Sequence, residues 1–487
     1  MMRISFYLIA CTLAFGLPCS GQFRGHNLSE YQQGKLPSDK ASFGTIYNRL
    51  FTTYRYKKFT AKGTFELFQS PKNNSSYIKP SQLSLGYKQQ NFDLSIGNFY
   101  ETIGRGTLLR SFDIPGAVLE DLSFRSRHYF NRDMLGATAK FRFKNVKTKL
   151  IYGKPLNYVF PPTISSKTRR PDEVAAIYTE YNKNQQTLGF ALMNHKITNL
   201  NTLYLMTTAN GNINPYISYY AEISKNVDDY ELGDFSKEAA YAAYASLNMT
   251  VARFGLSLEY KDYNKFLIGS GINEPPALVK EHAYVVLNRS THVLQPTNEK
   301  GYQVEGFYSF PDFSTLTLNV TKAINDFGKE FVFDEYFIEY AFPDSSVKDL
   351  RLFFDYAEDP FKNQKNRIST GLYADWKVSK KQTLKSNYEF QTFERFGEKY
   401  QNHVLILGYG FLSKFIFNIV AEKSNDSFVV EKGTKIWGGL NLNYMLNKKN
   451  KAQLFVGSRR GGPACNAGVC YEVLDFQGVE LRLTSRF

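Results

Sequence analysis

The chain has 487 residues, a formal net charge of +15 and a mean hydropathy of −0.37, although 43 % of it is hydrophobic. Its 60 lysines and arginines are dispersed without a long basic block, which argues against a nucleic-acid patch and leaves phosphorylated lipid or small anions as fitting counterparts. Past the first residues no apolar run reaches the ~18 residues that a membrane helix needs, so a membrane location would require a closed barrel, the other structure that satisfies its backbone in lipid.

Residues 1–21 read as a signal peptide, with Arg3 at the basic start, an apolar run Ile4 to Leu17, and small residues Cys19 and Gly21 before Gln22. Removing it lowers the charge to +14, by the loss of Arg3. Leu8-Ile9-Ala10-Cys11 resembles a lipoprotein box but falls too early in the apolar run.

From residue 22 onward the dominant signal is period-2 alternation. Residues 22–32 form the first expected strand. Short connections follow at Lys57-Lys58, Gln90, Asn145, Asn182–Gln186, Asn210-Gly211-Asn212 and Asn248-Met249. They continue at Pro311-Asp312, Pro343–Ser346, Val378–Lys380, Phe411–Ser413 and Asn447–Asn450. Longer ones lie between them, at 70–80, 102–132, 155–171, 226–238, 264–299, 425–433 and 459–475. With 102–132 and 264–299 each taken as one outer insertion, the alternation predicts a large antiparallel transmembrane β-barrel spanning 22–487 as a single domain. It should have about 24 strands, within 22–26, and both termini in the periplasm.

The first insertion follows Gly97-Asn98-Phe99-Tyr100-Glu101 and carries Arg105, Arg110, Asp113, Asp121 and Arg125. Opposed charges at a constriction set a transverse field that sorts polar solutes; the alternative is a solvated surface loop. The second carries Pro275-Pro276, Glu281, His282, Arg289 and His292. Glu281, His282 and His292 lack any metal-ligand spacing, so a plug or lid is expected there, with no metal and no cofactor. Val118–Arg125 and His282–Arg289 look strand-like in themselves.

Three later strands show the alternation clearly. In 313–324, Leu316, Leu318 and Val320 oppose Thr317, Asn319 and Thr321. In 347–358, Leu350, Leu352, Phe354 and Tyr356 oppose Arg351, Phe353, Asp355 and Ala357. In 434–446, Ile436, Leu440 and Tyr444 oppose Lys435, Asn441 and Asn443. Cys465 and Cys470 stand in a turn-rich stretch and read as a disulfide, with free thiols or half a metal site as alternatives. The last strand puts Val479, Leu481, Leu483 and the terminal Phe487 on one face. A terminal aromatic of this kind resembles the signal read by outer-membrane assembly machinery, although Ser485 departs from the usual pattern and an ordinary closing strand of a soluble sandwich would look similar.

Three segments carry a family resemblance: Ile96–Gly106, Asn288–Leu294 and Gly457–Cys465. They resemble a family of uncharacterised outer-membrane β-barrel proteins from Bacteroidetes-like Gram-negative bacteria. The resemblance implies location and fold, and no substrate.

The strands begin directly after the leader, so no globular plug domain precedes them, and a barrel of more than ~16–18 strands is open unless something fills it. The expectation is a porin-like channel or transporter for small polar or anionic solutes, its lumen narrowed by the two insertions. Outer-membrane lipid, lipopolysaccharide and the barrel-assembly machinery are the expected partners. The alternative is a structural or assembly barrel without transport. The six histidines (26, 128, 195, 282, 292 and 403) fall in no catalytic motif, so an enzyme at the rim is the weakest of the three readings.

Overall fold

The computed structural model describes residues 21–36, 39–69, 76–120, 127–156, 171–227, 235–236, 238–269, 271–343, 347–430, 433–466 and 469–487. All but Gly21 of the expected signal peptide lies outside the described residues, as do Asp121 and Arg125.

Alternation of side chains builds the wall. Along Val347–Asp359, Leu352 and Phe354 point outward while Phe353, Asp355 and Ala357 are buried inward. Along Thr315–Asp326, Leu318 is exposed and Asn319, Thr321, Ala323 and Asn325 face in. Repeated around the molecule, this gives an apolar outer face and a polar inner one, the pattern of a strand with hydrocarbon on one side and the lumen on the other. Twenty-four antiparallel strands form one sheet, and Gln22–Leu36 pairs with Phe476–Arg486 to close it. At the seam the backbone of Gly25 exchanges two hydrogen bonds with that of Phe487, whose ring stacks on Phe23 at 5.7 Å.

Both termini lie at one rim, where the wall strands are joined by short turns such as 57–58, 184–185 and 252–253. Connections at the other rim run from the two residues 198–199 to the two long insertions. Two expected turns are strand interior instead. Asn210–Asn212 lies within Leu200–Asn214, laddered to Gln186 and Ser218 on either side, and the chain reverses at Pro215-Tyr216, where the Asn214 side chain accepts from the Tyr216 amide at 2.8 Å. Asn248-Met249 lies within Tyr241–Val251, and the turn falls at Ala252-Arg253.

With ~4.8 Å between strands and a tilt of ~40°, a circular 24-strand barrel has a radius of about 24 Å, too wide for wall side chains to fill. The two insertions enter this space. The first, 100–133, leaves the wall after Phe92–Phe99 and returns at Met134–Phe143. It folds into a hairpin of Phe112–Glu120 on Arg127–Arg132, so the strand expected near Val118 exists but lies off the wall. The second, 265–297, departs after Phe254–Asn264 and returns at Asn298–Ser309. Here the strand expected at 282–289 is a short helix, Val285–Ser290. Inside the lumen this segment has no free sheet edge to join, and its first amides find a carboxylate on the wall. The Val285 and Val286 N–H groups donate to Glu389 at 3.0 and 2.8 Å.

Both insertions share one apolar core with the inner wall. Ile103, Leu108 and Leu109 of the first pack with Phe266, Ile268 and Ile272 of the second against Met134, Met193, Met206 and Tyr263. Tyr284, Val286 and Leu287 pack on Phe337, Phe353 and Val404. Parts of the lumen are therefore apolar core, which explains why inward wall positions include methionines and phenylalanines as well as polar residues.

Candidate functional site

The first insertion is held by charge and by backbone fit. Gly104 has φ +59°, and a Cβ there would sit 2.1 Å from a Glu222 carboxylate oxygen, so only glycine lets the chain approach the wall. The Arg105 amide then donates to Glu222 at 2.7 Å, its guanidinium lies over Tyr220, and Thr107 meets Ser224 at 2.8 Å. On the other side Arg127 pairs with Glu30, and the Tyr129 amide donates to Glu66 at 2.7 Å. Glu101 is buried and paired with Lys140 and Lys149 of the wall. Asn98 and Gln82 both donate to Asp133, at 2.8 and 2.9 Å, fixing the two ends of the insertion against each other.

The insertions are also bonded to each other. The Arg110 amide donates to the Ile272 carbonyl at 2.7 Å, Glu274 to Gly106 at 3.1 Å, and the Asn273 side chain to Thr107 at 3.2 Å. Arg132 pairs with Glu274. Burial pushes the Arg110 guanidinium down from its ordinary value, opposed by the nearby Glu274 and Glu281 carboxylates.

The second insertion is bolted to the wall by buried ions. Arg289 forks onto Glu422. His292 donates toward Glu299, 3.3 Å away, which also holds Lys261, and the imidazole stacks on Phe333 at 4.6 Å. His282 lies 3.3 Å from Glu335, and Lys362 donates to the Thr291 carbonyl at 2.7 Å. Burial brings the Lys362 ammonium down to about 8. His282, Glu335 and Asp355 place their ligand atoms within 4.8 Å of one another, a donor set suited to a cation. Arg367 already supplies the positive charge there, at 3.1 Å from Glu335 and 3.6 Å from Asp355, so the trio fits a buried ion cluster better than a metal centre.

Between the first insertion and the rim that carries the termini lies a cavity of roughly 580 Å³. Arg49, Lys62 and Lys140 line it together with Asp93, Glu101 and Asp113, and Gln82, Asn98, Tyr100 and Tyr129 supply neutral polar groups. A second cavity, roughly 680 Å³, shares His26, Arg49 and Phe51 with it and runs along the seam. Its lining adds Arg24, Arg482 and Arg486 and, among side chains, no carboxylate, although Arg482 is already paired with Glu30.

Of the residues expected at a constriction, Glu101 and Asp113 meet in the first cavity, where Tyr129 donates to Asp113. Arg105 and Arg110 face other walls and serve as anchors, as do Arg289 and His292 in the second insertion. They do not form one ring with Glu101, because each insertion spreads over a different arc of the wall. The basic lining from Arg24, Arg49, Lys62, Arg482 and Arg486 was not singled out from the sequence. Inward parity within the alternating strands was the available signal for it.

A profile of a family of unknown function, DUF6029, matches residues 28–326, more than half of the chain. The chain belongs to this family. Two of the three resembling segments, Ile96–Gly106 and Asn288–Leu294, fall inside the matched span. A search of curated proteins finds no match. Among solved structures the chain resembles the E. coli P pilus tip assembly intermediate PapC-PapD-PapK-PapG, with TM-score 0.55, 10 % identity, 96 % of this chain and 62 % of that chain covered. It thus spans somewhat less than two thirds of that chain. It also resembles the P pilus usher (PapC) translocation pore, with TM-score 0.50, 10 % identity and coverage of 96 % and 99 %. A looser likeness, TM-score 0.39 at 11 % identity, is to OccK5 (OpdH) of Pseudomonas aeruginosa, covering 80 % of this chain and 98 % of that one. At such identities the first two show the fold, that of a large outer-membrane barrel.

Proposed function

We propose that this protein is a porin-like outer-membrane transporter that passes small polar solutes, with a preference for anions, through a lumen narrowed by its own two insertions. One observation carries this reading: two segments fold inward from the wall, yet leave two charged cavities that share His26, Arg49 and Phe51 beside the seam. A surface loop would have no reason to bury its carboxylates and guanidinia against inward-facing partners. The basic lining of the seam cavity favours negative solutes.

The reading is tested in planar bilayers under a salt gradient. The intact barrel should give discrete conductance steps with an anion-selective reversal potential, and exchanging Arg24 and Arg486 for Gln should move that potential toward zero. A silent bilayer with protein that still migrates heat-modifiably on gels would overturn it and favour a structural or assembly barrel.

On this reading residues 1–21 export the chain, lipid and lipopolysaccharide surround the barrel, and the long connections face outward. Neither nucleic acid nor catalysis has a part in it. Cys465 and Cys470 are backbone partners in the hairpin Gly462–Asn466 on Val469–Val473, and we propose a disulfide between them in the last outer loop. Intact mass should rise by two hydrogens on reduction. Phe487 would serve the assembly machinery as well as the seam. F487A should then cut the heat-modifiable fraction in cells more deeply than F23A, which loosens the same stack but leaves the C-terminus intact. Equal losses would assign Phe487 to the seam alone.

A further inference from the structure

A third cavity, roughly 450 Å³, lies beside the seam strands, beneath the hairpin that begins at Gly462. Its walls combine the helix Val285–Ser290, the inner faces of three wall strands and the connection at Arg460-Gly461. Three arginines line it. Arg289 is matched by Glu422, and Arg459 by Glu480 at 3.0 Å. Arg460 forms no ion pair among the described residues; it donates to the neutral Asn402 side chain at 2.9 Å. A buried guanidinium outside any ion pair is costly: burial and the neighbouring Arg289 push it down to about 10, against the more distant Glu422, Asp426 and Asp475 carboxylates.

The same cavity gathers unused donors. The Nε1–H of Trp437, which is 2 % exposed, and the Nε–H groups of Arg459 and Arg460 are buried without hydrogen-bond partners among the described residues. Buried donors are almost always satisfied, so three on one cavity mark a place where a ligand supplies the acceptors. Trp437 and Phe455 add flat apolar surface, and the Arg460 guanidinium lies 5.9 Å from the Trp437 ring. The excess is therefore one positive charge and several N–H groups beside aromatic walls.

We propose that this cavity binds a small organic anion, a carboxylate or phosphate ester carried on a compact polar body, with Arg460 as its counter-ion and Trp437 donating to it. The site faces the lumen, so the ligand is a free solute and not a lipid headgroup. Binding here does not depend on passage through the barrel, and it can be read without measuring conductance.

Trp437 also supplies the probe. The chain has two tryptophans, and the other, Trp376, is half exposed on the outer face. In a W376F background the full-length, heat-modifiable barrel in detergent has Trp437 as its sole indole. Gluconate, and more weakly inorganic phosphate, should change its emission saturably, whereas glucose, matched in size but neutral, should not. R460Q should weaken gluconate at least about tenfold, the loss expected for removing a charge-assisted contact, and R460K, which keeps the charge and controls for folding, should lose less. No saturable response to either anion would overturn the proposal. So would an equal response to glucose, an R460Q barrel that binds as the parent does, or a response to added lipopolysaccharide in place of gluconate.

Discussion

Replacing residues 100–133 and 265–297 each by a short hairpin turn should turn the barrel into a wide pore, with single-channel conductance raised roughly tenfold if the bore widens toward the ~24 Å radius of an unfilled 24-strand wall. The excision is feasible because each insertion leaves and re-enters between strands that are already paired. Phe99 faces Met134, and Asn264 faces Asn298, so a tight turn can join either pair without disturbing the ladder. Removing one insertion alone should give less than half of the total gain. The two rest on each other through the Arg110–Ile272 and Glu274–Gly106 backbone bonds and a shared apolar core, so the survivor still blocks part of the bore while losing part of its support. The survivor should accordingly be noisier, with flickering steps where the intact chain gives steady ones. Conductance unchanged in the double excision, with the protein still heat-modifiable, would mean that the lumen is not the path.

The wall was legible in the sequence because its rule is local. A strand with hydrocarbon on one side must alternate, and Leu352 and Phe354 against Phe353 and Asp355 show it within a few residues. The inward phenylalanine at 353 already broke the simple apolar-out, polar-in form, and the reason is now visible: it packs on Tyr284 of the second insertion at 3.8 Å. Turn positions were less legible. Asn210-Gly211 is a strong hairpin signal on its own, but ladder partners on both sides carry the strand four residues further, and Asn214 makes the turn instead. The helix at Val285–Ser290 was hidden by its own composition, since two valines favour a strand and only the Glu389 carboxylate, a hundred residues away, rewards the helical amides. A similar distance hid part of the site: the partner of Arg289 is Glu422, 133 residues away, whereas His292 meets Glu299 only seven residues on. What the sequence did offer was the location of the insertions; their destination depended on a wall too wide to close over itself.

Arg367 should be the most sensitive single position holding the second insertion in place. It is fully buried, and its guanidinium donates to the Ser290 carbonyl at 3.0 Å while lying against Glu335 and Asp355. His282 comes to the same Glu335 from the insertion, so two carboxylates share a guanidinium and an imidazole contact. R367M keeps much of the volume but leaves both carboxylates under-compensated in a dry interior, a loss of about 3–5 kcal/mol. The loss falls mainly on the seat of the insertion. The wall keeps the pairing of residue 367 with Ala357 and the ladders that flank it, whereas Ser290 and the end of the helix lose a principal anchor and keep chiefly Lys362 on Thr291 and Gln391 on Ser290. Cleavage within 265–297 by added protease should therefore rise steeply in R367M while the barrel stays heat-modifiable. The triple variant R367M/E335Q/D355N removes the stranded charges and should recover most of the protease resistance, because replacing a whole buried ion set with neutral groups costs far less than removing one member. If the triple variant were cut as fast as R367M, the seat would depend on the Ser290 bond or on packing, and the balance of charge at this cluster would not be what holds the insertion in the lumen.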